Sequence, residues 1–332
     1  MKDKVSNKFD VGIVGLGSTG KKHLQFYLKN KQVKKIFVSE KKKLKNTSTY
    51  LIDRNLFDFK KTKNKKLLSI SSYDNSHSNL IIKNYNRSNI FVEKPMCRSL
   101  KDLNSIKKLV KKNKYKNLLY SNLVLRSSKI LNSIIKQVQT GKFGKIYYFE
   151  GDYLYGRINK LRYGWRGKDK KYSVGLGGGI HLIDLMISFF NELPISVYSN
   201  SNKFTTKNSF FKNQDFIQSN FFFNNGAIGK ITSNFGCVHK HQHVLKIYGT
   251  KKTFIYDDMG IRVFKNYDPS RGKIIKFDKL YPGKDALLPT IFSLLKKRKN
   301  YKKQIDKELN LMTAAIYADI SLKQKKKINI NY

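Results

Sequence analysis

The stretch Gly15-Leu16-Gly17-Ser18-Thr19-Gly20 constrains this chain more than any other part of it. It follows a β-rich apolar run, Phe9 to Val14, and precedes Lys21 to Asn30, whose apolar spacing predicts a helix. Strand, glycine turn and helix in that order make the first half of a βαβ unit. There the first glycine permits the tight turn, the second lets a pyrophosphate approach the backbone, and the third lets the helix pack closely, while the helix amino terminus favours the anion. The next predicted strand begins at Lys34 and ends in an acid, Glu40, 20 residues beyond Gly20. A carboxylate there accepts from an adenosine ribose 2′-hydroxyl and repels a 2′-phosphate. The reading is a dinucleotide site at Gly15, Gly17, Gly20 and Glu40 that prefers NAD. Lys41 to Lys43 soften the repulsion, so NADP stays open.

Strand signals at Leu67 to Ile70, Asn89 to Val92 and Leu118 to Val124 alternate with helix signals at His77 to Asn84 and Leu100 to Lys114. That alternation predicts a doubly wound parallel sheet covered on both faces, an α/β class. After about residue 140 strands succeed one another instead. They are expected at Lys145 to Tyr155, Ile195 to Ser199, Phe216 to Phe223, Ala227 to Phe235, His243 to Tyr248, Thr253 to Tyr256 and Ile261 to Lys265. Turns such as Asn224-Asn225-Gly226 separate several of them, which predicts an antiparallel, α+β second domain. Its helices are expected at Ser127 to Thr140, Ile180 to Asn191, Leu287 to Lys297 and Lys303 to Lys323. The domains are placed at 1–122 and 123–332.

The formal net charge of +46 would by itself suggest a nucleic acid or an anionic surface as partner. Of the 68 basic residues, however, 58 are Lys and only 10 are Arg, whereas bidentate phosphate and base recognition favours Arg. Lys, Asn, Ile, Tyr and Phe are abundant and Ala occurs five times, the pattern of coding drift toward A and T. The expectation is solvated lysine faces, salt-sensitive polyanion binding and no specific nucleic acid. No apolar run reaches a membrane span. Cys97 and Cys237 form no CxxC pair, and MKDKVSNKFD lacks an apolar signal core, so a soluble cytoplasmic protein is expected.

Glu93-Lys94-Pro95 follows the run Asn89 to Val92. At the carboxyl end of a strand in such a sheet, a lysine reaches a substrate beside a nicotinamide and holds its oxygen by a charge-assisted hydrogen bond. With this motif, several others resemble the glucose-fructose oxidoreductase, inositol dehydrogenase and rhizopine-catabolism family (Gfo/Idh/MocA): the Gly15 to His23 start, Ser72-Tyr73-Asp74-Asn75-Ser76-His77, Asn122-Leu123-Val124-Leu125-Arg126, Gly141 to Ile146, Gly177-Gly178-Gly179-Ile180-His181-Leu182-Ile183-Asp184 and Tyr248-Gly249-Thr250. Their order and spacing span nearly the whole chain. The resemblance implies a Rossmann domain followed by a domain with a large, mostly antiparallel open sheet used for homodimer or homotetramer contacts. It implies hydride transfer between NAD(P) and a secondary hydroxyl of a sugar, nucleotide sugar or cyclitol. It places Ser18, Thr19, Ser72, His77, Glu93 and Lys94 at the cofactor with the glycines, and makes Lys94 and His181 the catalytic pair, the imidazole serving as acid/base. Many members carry an Asp four residues before this histidine, where this chain has Gly177, so the three-residue relay is in doubt.

Other residues are weaker candidates. Asp184, one helical turn after His181, either orients the ring, binds substrate or is structural. Asn122, Arg126, Tyr153, Tyr155, Arg157, Trp165 and Arg166 suggest a surface for a sugar ring and its acidic groups, or ordinary loop anchoring. His239, His241 and His243 alternate along a predicted strand and so share one face; packing, substrate contact and a metal are the options, and no metal is expected. The competing class is a catalytically impaired NAD-binding or polyanion-binding regulatory protein on the same fold.

Overall fold

The computed structural model describes residues 8–42, 44, 48–265, 272–275 and 280–332; Lys43 and Met1 to Asn7 lie outside them. The chain divides into two compact units, Met1–Val124 with Pro282–Met312, and Leu125–Tyr281 with Thr313–Tyr332. A single linear cut near residue 122 therefore does not reproduce these units, because a late segment returns to the first.

The first unit opens with β1 (Phe9–Val14), α1 (Ser18–Lys29), β2 (Val33–Ser39), β3 (Leu51–Ile52), α2 (Phe57–Lys61) and β4 (Lys65–Ile70). It continues with α3 (His77–Asn84), β5 (Asn89–Val92), α4 (Leu100–Lys112) and β6 (Leu119–Ser121). All six strands are parallel, in the order β3-β2-β1-β4-β5-β6. Strand order reverses between β1 and β4, the switch point at which doubly wound sheets bind ligands. Val11, Ile13, Leu67, Leu68, Ile90, Phe91 and Val92 are wholly buried. These near-continuous apolar runs are what a parallel sheet requires when helices cover both faces. The strand expected as far as Val124 stops at Ser121, because the Asn122 side chain is drawn into a buried polar network and Val124–Ser127 turn as a 3-10 helix.

The second unit contains α5 (Lys129–Gln139), β7 (Ile146–Leu154), two short helices α6 (Asn159–Arg162) and α7 (Trp165–Lys168), and α8 (Ile180–Phe190), which continues a π-helical turn at Gly175–Gly179. There follow β8 (Ser196–Asn202), β9 (Phe216–Phe222), β10 (Ile228–Asn234), β11 (Gln242–Gly249), β12 (Lys252–Asp257), β13 (Gly260–Lys265) and β14 (Lys273–Ile275). After α9 (Leu288–Lys296) in the first unit, α10 (Tyr301–Gln324) passes from the first unit into the second, and β15 (Ile328–Asn329) ends the fold. The nine strands run β14-β13-β12-β11-β7-β10-β9-β8-β15. The sheet is antiparallel except where β10 lies parallel to β7. On β7 Phe149, Gly151 and Tyr153 are buried while Tyr148, Glu150 and Asp152 are partly exposed, the period-two pattern of a sheet covered on one face. Helix α8 covers that face closely, since a Cβ on Gly151 would stand 3.2 Å from Leu182. Among the described residues no helix is long and apolar enough to cross a membrane.

Candidate functional site

In the first unit one row of residues organises the candidate site. Val14 is in register with Ser39 and Ile70, Ile70 with Val92, and Val92 with Ser121. The next residue along each strand, Gly15, Glu40, Ser71, Glu93 and Asn122, therefore emerges at one carboxyl edge. Backbone hydrogen bonds stitch that edge: Gly15 donates to the Ser39 carbonyl at 2.9 Å, Ser71 to Val14 at 2.8 Å, Glu93 to Ile70 at 2.8 Å and Asn122 to Val92 at 2.8 Å.

The three loop glycines are required for three different reasons. Gly15 has φ +88°, and a Cβ there would stand 2.9 Å from the Ser72 backbone. A Cβ on Gly20 would lie 1.9 Å from the Gly15 carbonyl oxygen, so only glycine lets α1 start so close to the strand. A Cβ on Gly17 would meet nothing within 4 Å. The protein itself has no use for a glycine there, whereas a pyrophosphate seated against the backbone does. Ser18 and Thr19 form the first turn of α1, which holds no acidic residue. These residues fit a dinucleotide.

Glu40 is tied to the loop. One carboxylate oxygen accepts from Leu16 N–H at 2.6 Å, and the other from Lys41 at 2.7 Å and Lys42 at 3.3 Å. Partial burial pushes its pKa up, but the backbone donors and the Lys42 charge outweigh this and hold it below the usual carboxylate range. Glu40 thus sits ionised at the loop, bracing it as well as facing it. Ser72 bonds Ser76 at 2.7 Å. His77 is buried, its ring nitrogens 2.8 Å from the Pro95 carbonyl and 3.0 Å from the Ser72 carbonyl. It joins the Glu93-Lys94-Pro95 turn to the Ser72 loop. Lys94 is half-buried just past β5, ahead of a cis Lys94–Pro95 peptide.

Asn122, expected at the substrate, is also buried. Its Nδ2 donates to Glu93 Oε1 at 2.5 Å and to the Lys284 carbonyl at 2.8 Å. His23 shares that carbonyl through Nε2 at 3.2 Å, with Ser69 Oγ 2.9 Å from Nδ1. Burial pushes the His23 pKa down to about 4 against the Lys284 hydrogen bond, so the ring is neutral. Neither His23 nor Lys284 stood out as a site residue in the sequence, because the first lies inside a helix and the second 267 residues beyond Gly17.

In the second unit His181 is buried near the start of α8 and stacks on Tyr153 at 6.3 Å between ring centres, at 11°. Tyr153 also meets His241 at 5.2 Å, His243 at 5.1 Å and Tyr155 at 5.7 Å, and His243 stacks on Tyr281 at 6.4 Å. Burial, then the neighbouring phenols, holds Tyr153 well above the usual phenol range, so it stays a neutral hydroxyl. The expected single face of three histidines is not formed. Pairing with β7 begins only at Gln242, and His239 turns away to bond the exposed Asp258 at 2.8 Å. Among the described residues no group of His, Cys, Asp and Glu is arranged to hold a metal ion.

At Gly177, where the resemblance places an acid, a side chain fits only if its neighbour moves. A Cβ there would stand 2.1 Å from the Tyr172 hydroxyl, which accepts from Arg166 Nε at 3.1 Å. Tyr172 had no sequence signal, lying in an irregular stretch. Trp165 and Arg166 belong to the short helix α7 rather than a loop, with Arg166 over the Trp165 ring at 4.7 Å and Trp165 edge-on to Tyr172 at 5.9 Å. Arg157 lies over the Tyr155 ring at 5.5 Å. Both oxygens of Asp184 accept from Arg126, at 2.9 Å from Nε and 2.7 Å from Nη2, so the two candidates form one bidentate pair.

Comparison with known proteins agrees with both units. Residues 9–120 match the model of the oxidoreductase family with an NAD-binding Rossmann fold, and residues 132–255 match that of the GFO/IDH/MocA C-terminal domain. No curated protein matches the chain in sequence. Among solved structures it is similar to a myo-inositol 2-dehydrogenase from Lactobacillus plantarum, with a TM-score of 0.73 and 17% identity over 98% of this chain and 100% of that one. An oxidoreductase domain protein from Kribbella flavida gives 0.79 and 14% over 98% and 100%. Levoglucosan dehydrogenase in complex with NADH and L-sorbose gives 0.77 and 14% over 98% and 99%. With its glycine loop, its strand-end row and both domain models matched in order, the chain belongs to the GFO/IDH/MocA family of oxidoreductases and carries that family's NAD-binding Rossmann domain.

Proposed function

We propose that the protein is an NAD-dependent dehydrogenase or reductase acting on a secondary hydroxyl of a sugar, nucleotide sugar or cyclitol. The observation that carries this reading is the carboxyl edge of the first sheet, where a loop with open space only at Gly17 and the turn bearing Lys94 leave strands in one register row. NAD supplies a hydride acceptor when bound, and NADH a donor. Glu40 favours the unphosphorylated ribose, and NADP is the less suited cofactor. On the oxidative side the substrate carbon loses a hydride and its hydroxyl a proton, giving a ketone, NADH and a released proton. Lys94 holds the substrate oxygen and stabilises the charge developing on it, and His181 takes the proton. Tyr153 and Tyr155 are buried, so it is Trp165, Arg157 and Arg166, the last two lying over aromatic rings, that suit a sugar ring bearing acidic groups. The sugar dehydrogenases among its structural relatives support this substrate class. Working as a homodimer or homotetramer through the open face of the second sheet, in the cytoplasm, completes the reading; the lysine-rich surface serves solubility.

Steady-state assays following NADH absorbance across cyclitols, aldoses and nucleotide sugars, each with NAD and NADP, test this. Turnover of one class with a lower KM for NAD is expected. NADH binding without turnover of any CH–OH substrate would instead favour a regulatory dinucleotide-binding protein.

A further inference from the structure

We propose that Lys284, on the segment that returns from the second unit, is a further ligand of the cofactor pyrophosphate; this deepens the NAD reading above and rests on it. The segment is firmly seated. Helix α9 presses Phe292 against Phe9 at 5.8 Å and Tyr27 at 6.2 Å, fastening it to β1 and α1. Just before α9 the chain turns at Gly283, with φ +114°, a conformation suited to glycine. The Lys284 carbonyl is then gripped by Asn122 Nδ2 and His23 Nε2, both buried donors of the first unit.

With its backbone fixed from behind, the half-exposed side chain reaches forward to the glycine loop, its Nζ 2.7 Å from Ser18 Oγ. Ser18 is the first residue of α1, and Gly17 makes no side-chain cap there. An ammonium group at a helix amino terminus is repelled by the helix dipole, and the first turn offers no acidic side chain to offset it. The neighbouring Asp285 lines the flank of α1 with Lys22, Gln25 and Lys29. The Lys284 ammonium is thus placed at the amino end of α1, beside the open space at Gly17, where the glycine loop seats a pyrophosphate. The pyrophosphate that belongs there would lie between the α1 N–H groups and the Lys284 ammonium. The long excursion of the chain through the second unit thus closes on the cofactor loop of the first.

The test is calorimetric titration of the full-length protein and its Lys284→Met and Lys284→Gln variants with NADH, ADP-ribose and adenosine. Both variants are expected to bind NADH and ADP-ribose about tenfold more weakly, with a shallower salt dependence, and adenosine unchanged. Lys284→Arg should recover most of the loss. Unliganded thermal midpoints equal to wild type show that the fold is intact. NADH and ADP-ribose affinities within about twofold of wild type in Lys284→Met and Lys284→Gln would overturn the assignment. Equal weakening of adenosine would also overturn it, since that reports loss of structure rather than of a phosphate contact. Failure of the wild-type protein to bind NADH would instead sink the dinucleotide reading itself.

Discussion

The two units build their candidate site residues in different ways. In the first, Gly15, Glu40, Ser71, Glu93 and Asn122 are each the residue after a strand end, and parallel register alone brings them to one edge. In the second, Tyr153 and His243 are register partners on β7 and β11, but His181 from a helix and Tyr172 and Tyr281 from irregular stretches join them only through side-chain packing. A site set by backbone register tolerates changes in the side chains around it. A site set by packing depends on each ring that forms it.

The largest effect expected tests the register-built edge at Lys94, the residue proposed to hold the substrate oxygen. Lys94→Ala should lower kcat by about 10²- to 10⁴-fold while NADH affinity changes little, because the backbone that seats the cofactor is untouched. Steady-state kinetics with a binding titration read both. Unreduced turnover would remove Lys94 from the chemistry.

Next in size is the pair that supports the packed site. Arg126 and Asp184 are mostly buried, with side-chain exposures of 17% and 9%. Replacing Arg126 by Met leaves the carboxylate without its cation and should cost ~3–5 kcal/mol of stability. A urea titration measures this. An unchanged midpoint with a raised KM would return Arg126 to the substrate and make the pair dispensable for folding.

Two glycines sharpen the contrast within the loop itself. Gly20→Ala drives a Cβ into the Gly15 carbonyl and should destabilise the protein by ~1–3 kcal/mol. Gly17→Ala meets nothing within 4 Å, so stability should hold while NADH affinity falls. Thermal melts with and without NADH distinguish the two. Equal destabilisation would mean that Gly17 serves the fold and not a ligand.

The same difference explains what could be read from sequence. The strands Phe9 to Val14 and Asn89 to Val92 and the helix His77 to Asn84 are found at their expected bounds, because their apolar periods are strong and their partners are close in sequence. The glycine loop and the Lys94 turn carry local signatures for the same reason. His23, Asn122 and Lys284 could not be linked in advance, since their contacts span up to 261 residues and depend on a returning segment. Nor could Tyr172, whose hydroxyl fills the place beside Gly177, nor the departure of His239 from its strand. Alternation predicts a shared face only where the chain stays extended, and pairing with β7 does not reach His239.

The smallest effect concerns how the packed site is held. Asp319, on α10, accepts from Ser173 Oγ at 2.8 Å, and the same oxygen receives the Leu176 N–H at 3.2 Å, at the turn that leads into α8 and His181. Burial pushes the Asp319 pKa up to about 6 from 3.8, more than the Ser173 hydrogen bond and the Lys323 charge pull it down. A carboxyl whose pKa is raised in the folded state stabilises most fully when protonated, below pH 3.8. That contribution is lost as pH rises through about 6, and at neutral pH the buried charge is a net cost. Because the residue as a whole is half-exposed, water relieves part of this, and the cost is on the order of 1 kcal/mol. Asp319→Asn keeps an acceptor for Ser173 and should raise the thermal midpoint at pH 7.5 by a few degrees, a gain that shrinks to nothing below pH 4. A gain independent of pH would show that packing and not charge sets the cost. A loss at every pH would show that the carboxylate itself anchors the turn, and that the second unit, like the first, keeps a charged group at the root of its site.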